Sequence, residues 1–227
     1  WALSIPGRNP ATGRNQLVLD ITRKDVRDYI VEAVSKILRE NEIDYVKWDF
    51  NRNMTEIGSP VLGAEHQGEV THRYYLGLYE LLERLVTDFP DVFCESCSGG
   101  GGRFDAGILY YMPQTWTSDD TDAIERLTIQ YGTSFVYPAS AMGAHVSAVP
   151  NHQTGRMTSM RMRGDVAMGG NFGFELDLSK LNDEDIATAK QLVEEIKEVR
   201  ELTQKGVFTR LISPLEGRYC AWQFASE

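Results

Sequence analysis

Apolar runs of strand length alternate along the chain with stretches whose apolar residues recur every three or four positions. This alternation predicts repeated parallel β/α units. Gln16–Asp20 reads as the first strand and Thr22 as the N-cap of the helix after it, whose Val26, Ile30, Ala33, Val34 and Ile37 make one apolar stripe on a charged surface. Ile43–Asp49 is the second strand, followed by a Gly/Pro-containing loop and a helix over about residues 69–88. Val92–Cys97 is the third, ending in the run Gly99–Gly102, with a short helix near residues 104–109. Pro113–Ser118 is the fourth, and its helix runs from about Asp122 to Tyr131. A fifth strand falls within Ser134–Val146, either at Phe135–Tyr137 or at Met142–His145, with a helix over roughly residues 155–168 after it. Asn171–Leu176 is the sixth. Asn182 then caps a long helix with Ile186, Leu192, Val193, Ile196 and Val199 on its buried side.

Six such units most resemble an α/β fold of the (β/α)8 barrel type, with about strands 3–8 inside residues 1–205 and two strands expected upstream. After Gly206 the pattern changes to short alternating segments, Val207–Leu211 and Arg218–Phe224, separated by Pro214 and Gly217. Residues 206–227 are therefore read as the start of a C-terminal all-β, sandwich-type domain. A length of 227 residues with 42% hydrophobic content suffices for one sizeable core.

Charge and cysteine usage narrow the possible partners. A formal charge of −10 disfavours nucleic acid, whose binding requires clustered Lys and Arg. No stretch approaches the roughly 20 apolar residues of a membrane span, and no charged leader precedes an apolar run, so a soluble, cytoplasmic protein is expected. Cys94 and Cys97 have C-x-x-C spacing without a second pair, and an odd separation in a strand points them to opposite faces; no metal site is expected.

The chemistry gathers at two strand ends. Lys47, Asp49 and Asn51 are spaced by two, so they share one face with Tyr45 at the C-terminal end of their strand, where barrel enzymes place active sites. The bland alternative is a Lys47–Asp49 salt bridge that fixes the barrel's mouth, which would contribute little net stability. Thr115, Thr117 and Asp119 repeat the arrangement at the fourth strand, with Asp119 just past its C-terminal end. Two such carboxylates suit glycoside hydrolysis, where one attacks the anomeric carbon and the other protonates the leaving oxygen. Lys47 beside Asp49 would favour the charged nucleophile, and Asp119 would hold the proton. In a retaining enzyme the two should face each other at about 5–5.5 Å. Asp122 reads as a helix cap, His145 and His152 as structural histidines in a loop after the fifth strand, and Arg156, Arg161 and Arg163 as partners of acidic loops or of a neighbouring subunit. Asp177 is either a mouth contact or a cap.

Five segments, in order and in register, carry a resemblance that covers nearly the whole chain. Trp1-Ala-Leu-Ser with Gly13-Arg-Asn-Gln-Leu-Val-Leu-Asp20, then Lys47-Trp-Asp-Phe-Asn-Arg52, Cys97-Ser-Gly-Gly-Gly-Gly-Arg103 and Trp116-Thr-Ser-Asp-Asp-Thr-Asp-Ala123 resemble the signature segments of family 36 α-galactosidases. The resemblance implies hydrolysis of terminal α-D-galactosyl residues from melibiose- or raffinose-type sugars, with retention and without a cofactor. It implies Asp49 as nucleophile and Asp119 as general acid/base. Arg14, Lys47, Trp48, Asn51, Cys97, Gly99 and Gly100 would contact the sugar, in a homotetramer of longer chains. The family's Asp-Asp pair on the first barrel strand and an upstream aromatic side chain have no counterpart here. A galactosyltransferase using the same intermediate and a non-catalytic carbohydrate-binding barrel are the alternatives.

Overall fold

The computed structural model describes residues 1–226 and divides into two compact units, Trp1–Pro113 and the chain from Gln114 onward. In the first unit, helix α1 (Lys24–Glu40) precedes strand β1 (Tyr45–Asp49), and a 3₁₀ turn (Ala64–Glu69) leads into α2 (Val70–Asp88). Strand β2 (Phe93–Cys97) and the short α3 (Ala106–Tyr111) complete it. β1 and β2 pair in parallel, placing Lys47 opposite Glu95 and Asp49 opposite Cys97. Val26 and Val31 of α1, Leu78, Leu81, Leu82 and Leu85 of α2, and Ile108 form one apolar cluster, against which Ile30 and Val34 also pack. Ile37, expected on this stripe, is 55% exposed.

Two local expectations change here. Gln16–Asp20 forms no ladder strand; it runs antiparallel to the first residues of the chain, with Leu3 N–H donating to Val18 and Asp20 N–H to Trp1. Thr22 does not cap α1, whose N-cap is Arg23 without a side-chain capping bond. Its hydroxyl donates instead to the fully buried Asp20 carboxylate at 2.5 Å, beside a 2.6 Å bond from Ser59. A buried carboxylate costs several kcal/mol unless hydrogen-bonded, and that demand takes the threonine away from the helix.

The second unit repeats the pattern with β3 (Gln114–Thr115), α4 (Ala123–Thr133), β4 (Gly143–Ser147), α5 (Met160–Ala167), β5 (Asn171–Glu175) and α6 (Asp183–Lys205). β4 and β5 pair in parallel. Ala144 and Val146 pack against Met160, Ala167 and Leu192. A Cβ at Gly164 would stand 2.4 Å from Leu192, so α5 and α6 can approach this closely only with glycine there. Asp122 caps α4 and Asn182 caps α6, as their positions predict. The fifth strand is the later of its two candidates; Phe135 and Val136 remain exposed, with the Arg210 guanidinium over the Phe135 ring. α5 begins at Met160 rather than near residue 155, because Asn151–Arg156 forms a tight loop and Ser159 caps the helix. Beyond Gly206, β6 (Val207–Ile212) and β7 (Ala221–Ala225) form the expected antiparallel pair.

The chain is thus an α/β protein of parallel strand pairs followed by helices. Among the described residues no helix is long and apolar enough to cross a membrane, and no cluster of three or more His, Cys, Asp or Glu could hold a metal ion.

Candidate active site

Strand alternation sends Tyr45, Lys47 and Asp49 to one face of β1 and Val46 and Trp48 to the other. Beneath Lys47 lies Glu95, fully buried, which accepts a short hydrogen bond from the Tyr45 hydroxyl and faces Lys47 Nζ at 3.4 Å. Lys47 therefore pairs across the strands with Glu95, a residue that sequence reasoning missed. Its signal was available, since Glu95 shares the face of Cys97 two residues on. Replacing Glu95 by Ala leaves the phenol and the ammonium without this carboxylate. The expected cost is about 2–4 kcal/mol, read as a lowered urea midpoint; an unchanged midpoint would show that the pair contributes nothing.

Asp49 stands at the top of this face. The Asn51 amide bridges it to the glycine turn: Asn51 Oδ1 accepts from Gly99 N–H at 3.1 Å, which directs Nδ2 to Asp49 Oδ2 at 3.2 Å. Gly99 and Gly100 both take positive φ, 54° and 83°, a backbone that suits glycine. Cys97, 3% exposed, lies against Asp49. Burial pushes its thiol up to about 11, Asp49 pushes the same way, and Gly100 N–H and Lys47 oppose. The thiol therefore stays protonated at neutral pH. Alkylation of Cys97 by iodoacetamide near neutral pH, followed by peptide mapping, should run on the order of 10²-fold slower than that of an ordinary thiol and speed up only toward the raised value; rapid labelling would contradict this environment. Cys94 points the other way, into the apolar cluster.

Trp48 does not join this group. It packs against the core cluster and stacks on Phe50 at 6.0 Å, on the opposite face from Asp49. The same alternation that placed Lys47 and Asp49 together turns Trp48 to the other face. A groove of about 240 Å³ runs beside the end of β1, bordered by Asp49, Asn51, Arg52 and Arg103 on its polar side and by Trp48 on its apolar side.

Two arginines brace this corner, neither marked out by the sequence. Arg52, 8% exposed, donates to Ala11 O through Nε at 3.0 Å and Nη2 at 2.6 Å. It thereby anchors the loop whose tip is a two-residue turn of Arg14 and Asn15, both at positive φ, closed by Gly13 and Gln16. Arg103 donates to Arg52 O at 2.9 Å and lies 5.0 Å from the Phe50 ring. Arg14 itself is exposed at that tip.

In the second unit, the strand before Asp119 ends earlier than expected, so Asp119 lies in a turn beyond it. β3 ends at Thr115, and from there the chain is held by side chains: Asp120 N–H donates to Ser118 Oγ at 3.1 Å, and Asp122 N–H to Asp120 Oδ1 at 3.0 Å. Asp122 in turn accepts the N–H groups of Ile124 and Glu125. Burial alone would raise its carboxyl, but bonds from Thr154, Glu125 N–H, Arg156 and Ile124 N–H together hold it below the usual carboxylate range. Arg126, also missed, is 2% exposed; it donates to Ser118 O at 3.2 Å and Gly143 O at 2.7 Å, and lies 4.7 Å from the Trp116 ring. Burial pushes it down to about 10 against the pull of Asp120 and Glu175, which leaves it charged at neutral pH.

The remaining candidates are structural. His145 sits within β4, not in a loop; its ring stacks on Trp116 at 4.6 Å and its Nδ1 lies 3.4 Å from Glu175. His152 is exposed. Arg156 pairs with Asp122 and Glu125, and Arg161 with Asp165 and Glu195. Arg163 has a different partner from the expected acidic loop, donating to Ser147 O at 2.6 Å. Asp177 caps the 3₁₀ turn Leu178–Lys180.

Comparison with known proteins gives the family. The family model described as Melibiase matches residues 1–206. The α-galactosidase AgaA of Geobacillus stearothermophilus is 60% identical over 226 residues, covering 100% of this chain and 31% of that protein. α-Galactosidase 1 of Pediococcus pentosaceus is 53% identical, with 100% and 31% covered. Crystal structures of the Geobacillus family 36 enzyme superpose with a TM-score of 0.97 over 100% of this chain and 32% of theirs, among them variants in complex with raffinose and with stachyose. The chain spans about a third of the length of these relatives. By this match, and by the five motif segments it contains, the chain belongs to the Melibiase family, among the family 36 glycoside hydrolases.

Proposed function

We propose that the protein carrying this chain is a retaining α-galactosidase that removes terminal, non-reducing α-D-galactosyl residues from melibiose- and raffinose-type sugars. The observation that carries the reading is the pair Asp49 and Asp119. In the Geobacillus enzyme, the raffinose complex carries an aspartate-to-asparagine substitution and the stachyose complex an aspartate-to-alanine one, 70 positions apart; Asp49 and Asp119 are separated by the same 70 positions. Both variants also share an alanine-to-glutamate change, so the aspartate substitutions are what distinguishes the two, and the matching spacing supports the pair as the catalytic carboxylates.

In the first step an Asp49 carboxylate oxygen attacks the anomeric carbon, and the glycosidic C–O bond breaks as Asp119 transfers its proton to the leaving oxygen. In the second, water attacks the same carbon, its proton passes to Asp119, and Asp49 leaves as the free carboxylate. Two inversions give retention, and two carboxylates and water complete the cycle without a cofactor. Arg14, Lys47, Asn51, Cys97, Gly99 and Gly100 bind the galactosyl hydroxyls on this reading, with Asn51 also orienting Asp49 through its amide.

The same reading assigns residues 1–205 to strands three to eight of a (β/α)8 barrel and residues from 206 to the start of a C-terminal β domain. That boundary coincides with the end of the family match at residue 206. It further assigns the whole protein to a cytoplasmic homotetramer. Hydrolysis of 4-nitrophenyl α-galactoside followed by proton NMR tests the activity: α-galactose must appear first and β-galactose only by later mutarotation. Initial β-galactose, or no hydrolysis, would overturn the proposal.

A further inference from the structure

The segment that carries Asp119 leaves the sheet at Thr115, so ladder hydrogen bonds do not set its position. A second loop, residues 151–156, grips it instead. Gln153 Oε1 accepts from Thr121 N–H at 3.2 Å, and Asn151 Nδ2 donates to Thr121 Oγ1 at 3.0 Å. Thr154 Oγ1 donates to Asp122 Oδ2 at 2.7 Å, and Arg156 clamps the same carboxylate while reaching Glu125 at 3.2 Å.

The loop is rigid in its own right. Asn151, 4% exposed, accepts Gln153 N–H at 2.9 Å and Thr154 N–H at 3.0 Å on its Oδ1, while its backbone N–H and C=O bond Arg156 and Gly155. Thr121 and Asp122 are buried beneath it at 7% and 2% exposure. This is more fastening than a helix N-cap requires, since Asp122 already satisfies the first N–H groups of α4. Two of the bonds fall on Thr121, two residues from Asp119, and do nothing for the helix.

A general acid works only within hydrogen-bond reach of the leaving oxygen, about 2.6–3.2 Å, and a displacement of roughly 1 Å can cost on the order of 10²-fold in rate. We propose that the 151–156 loop is a positioning device for proton transfer, in which Gln153 and Asn151 hold Thr121, and through it set Asp119. The proposal rests on the reading of Asp119 as the acid/base.

The test uses exposed Gln153, whose truncation leaves the core intact. Replacing Gln153 by Ala in the protein carrying this chain should lower kcat/KM for melibiose, a poor leaving group, by roughly 10-fold or more. For 2,4-dinitrophenyl α-galactoside, which needs little protonation, the loss should stay within about 3-fold. Gln153→Glu keeps an acceptor for Thr121 N–H and should retain melibiose turnover. In an Asp119→Ala background the loop substitution should add less than about 2-fold on the dinitrophenyl substrate, because the group it positions is gone. If Asp119→Ala discriminates between the two substrates but Gln153→Ala lowers both equally, or neither, the loop only stabilises α4 and the proposal fails. If Asp119→Ala itself does not discriminate, the acid/base assignment falls and this inference with it.

Discussion

With Asp49 as the proposed nucleophile, replacing it by Ala is expected to abolish turnover of every α-galactoside, with a loss on the order of 10⁴-fold or more that is the same for aryl and sugar leaving groups. The reason is that no leaving group, however good, supplies the missing nucleophile. Azide then enters from the vacated face and restores part of the turnover, and the product is the β-galactosyl azide, because a single displacement inverts the anomeric carbon. Asn51 and Cys97 remain in place around the deleted carboxylate, since the β1–β2 register fixes the Cys97 backbone and Gly99 N–H holds the Asn51 side chain, so sugar binding should survive. An Asp49 variant that fails only on substrates with poor leaving groups would contradict the assignment.

Replacing Asp119 by Ala gives the complementary failure. Melibiose and raffinose lose roughly 10²–10⁴-fold in kcat/KM, because their leaving oxygens depart only when protonated. An aryl galactoside with an acidic phenol keeps most of its first-step rate and accumulates the covalent intermediate. Azide attacks that intermediate and yields the α-galactosyl azide, the product of two inversions. The anomeric configuration of the azide product decides between the roles: an α-azide from the Asp49 variant with a β-azide from the Asp119 variant would exchange them, and identical behaviour of both would remove both.

The two proposed catalytic carboxylates rest on different supports. Asp49 stands on a strand pair whose register brings Cys97 beside it and Glu95 under Lys47. Asp119 stands on a turn outside any ladder, fastened by Arg126 at Ser118 and by the 151–156 loop at Thr121 and Asp122. A strand tolerates the loss of one side-chain bond because its backbone ladder remains. A turn held by side chains has no such reserve, which is why the further substitutions that alter proton transfer are sought around Asp119.

What could be read from the chain alone was what local chemistry dictates. Alternation by two in Tyr45–Asp49 put Lys47 and Asp49 on one face, and the Asp122 and Asn182 side chains bond N–H groups only two or three residues ahead of themselves. The five motif segments supplied the family by the same token, since each is a continuous stretch of chain. The alternation also held the answer to Trp48, because a residue between Lys47 and Asp49 must face the other way. Tertiary structure decided the partners. Glu95 lies 48 residues from Lys47 and is chosen by strand register, and Gln153 lies 32 residues from Thr121 and meets it only once the loop has closed. Thr22 illustrates the competition directly: by itself it would cap α1, but burial of Asp20 makes a hydrogen bond there worth more than one at an exposed helix end. Gln16–Asp20 has the composition of a strand, yet a strand requires a neighbour with free backbone groups, and Trp1–Leu3 meets it with only a few antiparallel bonds.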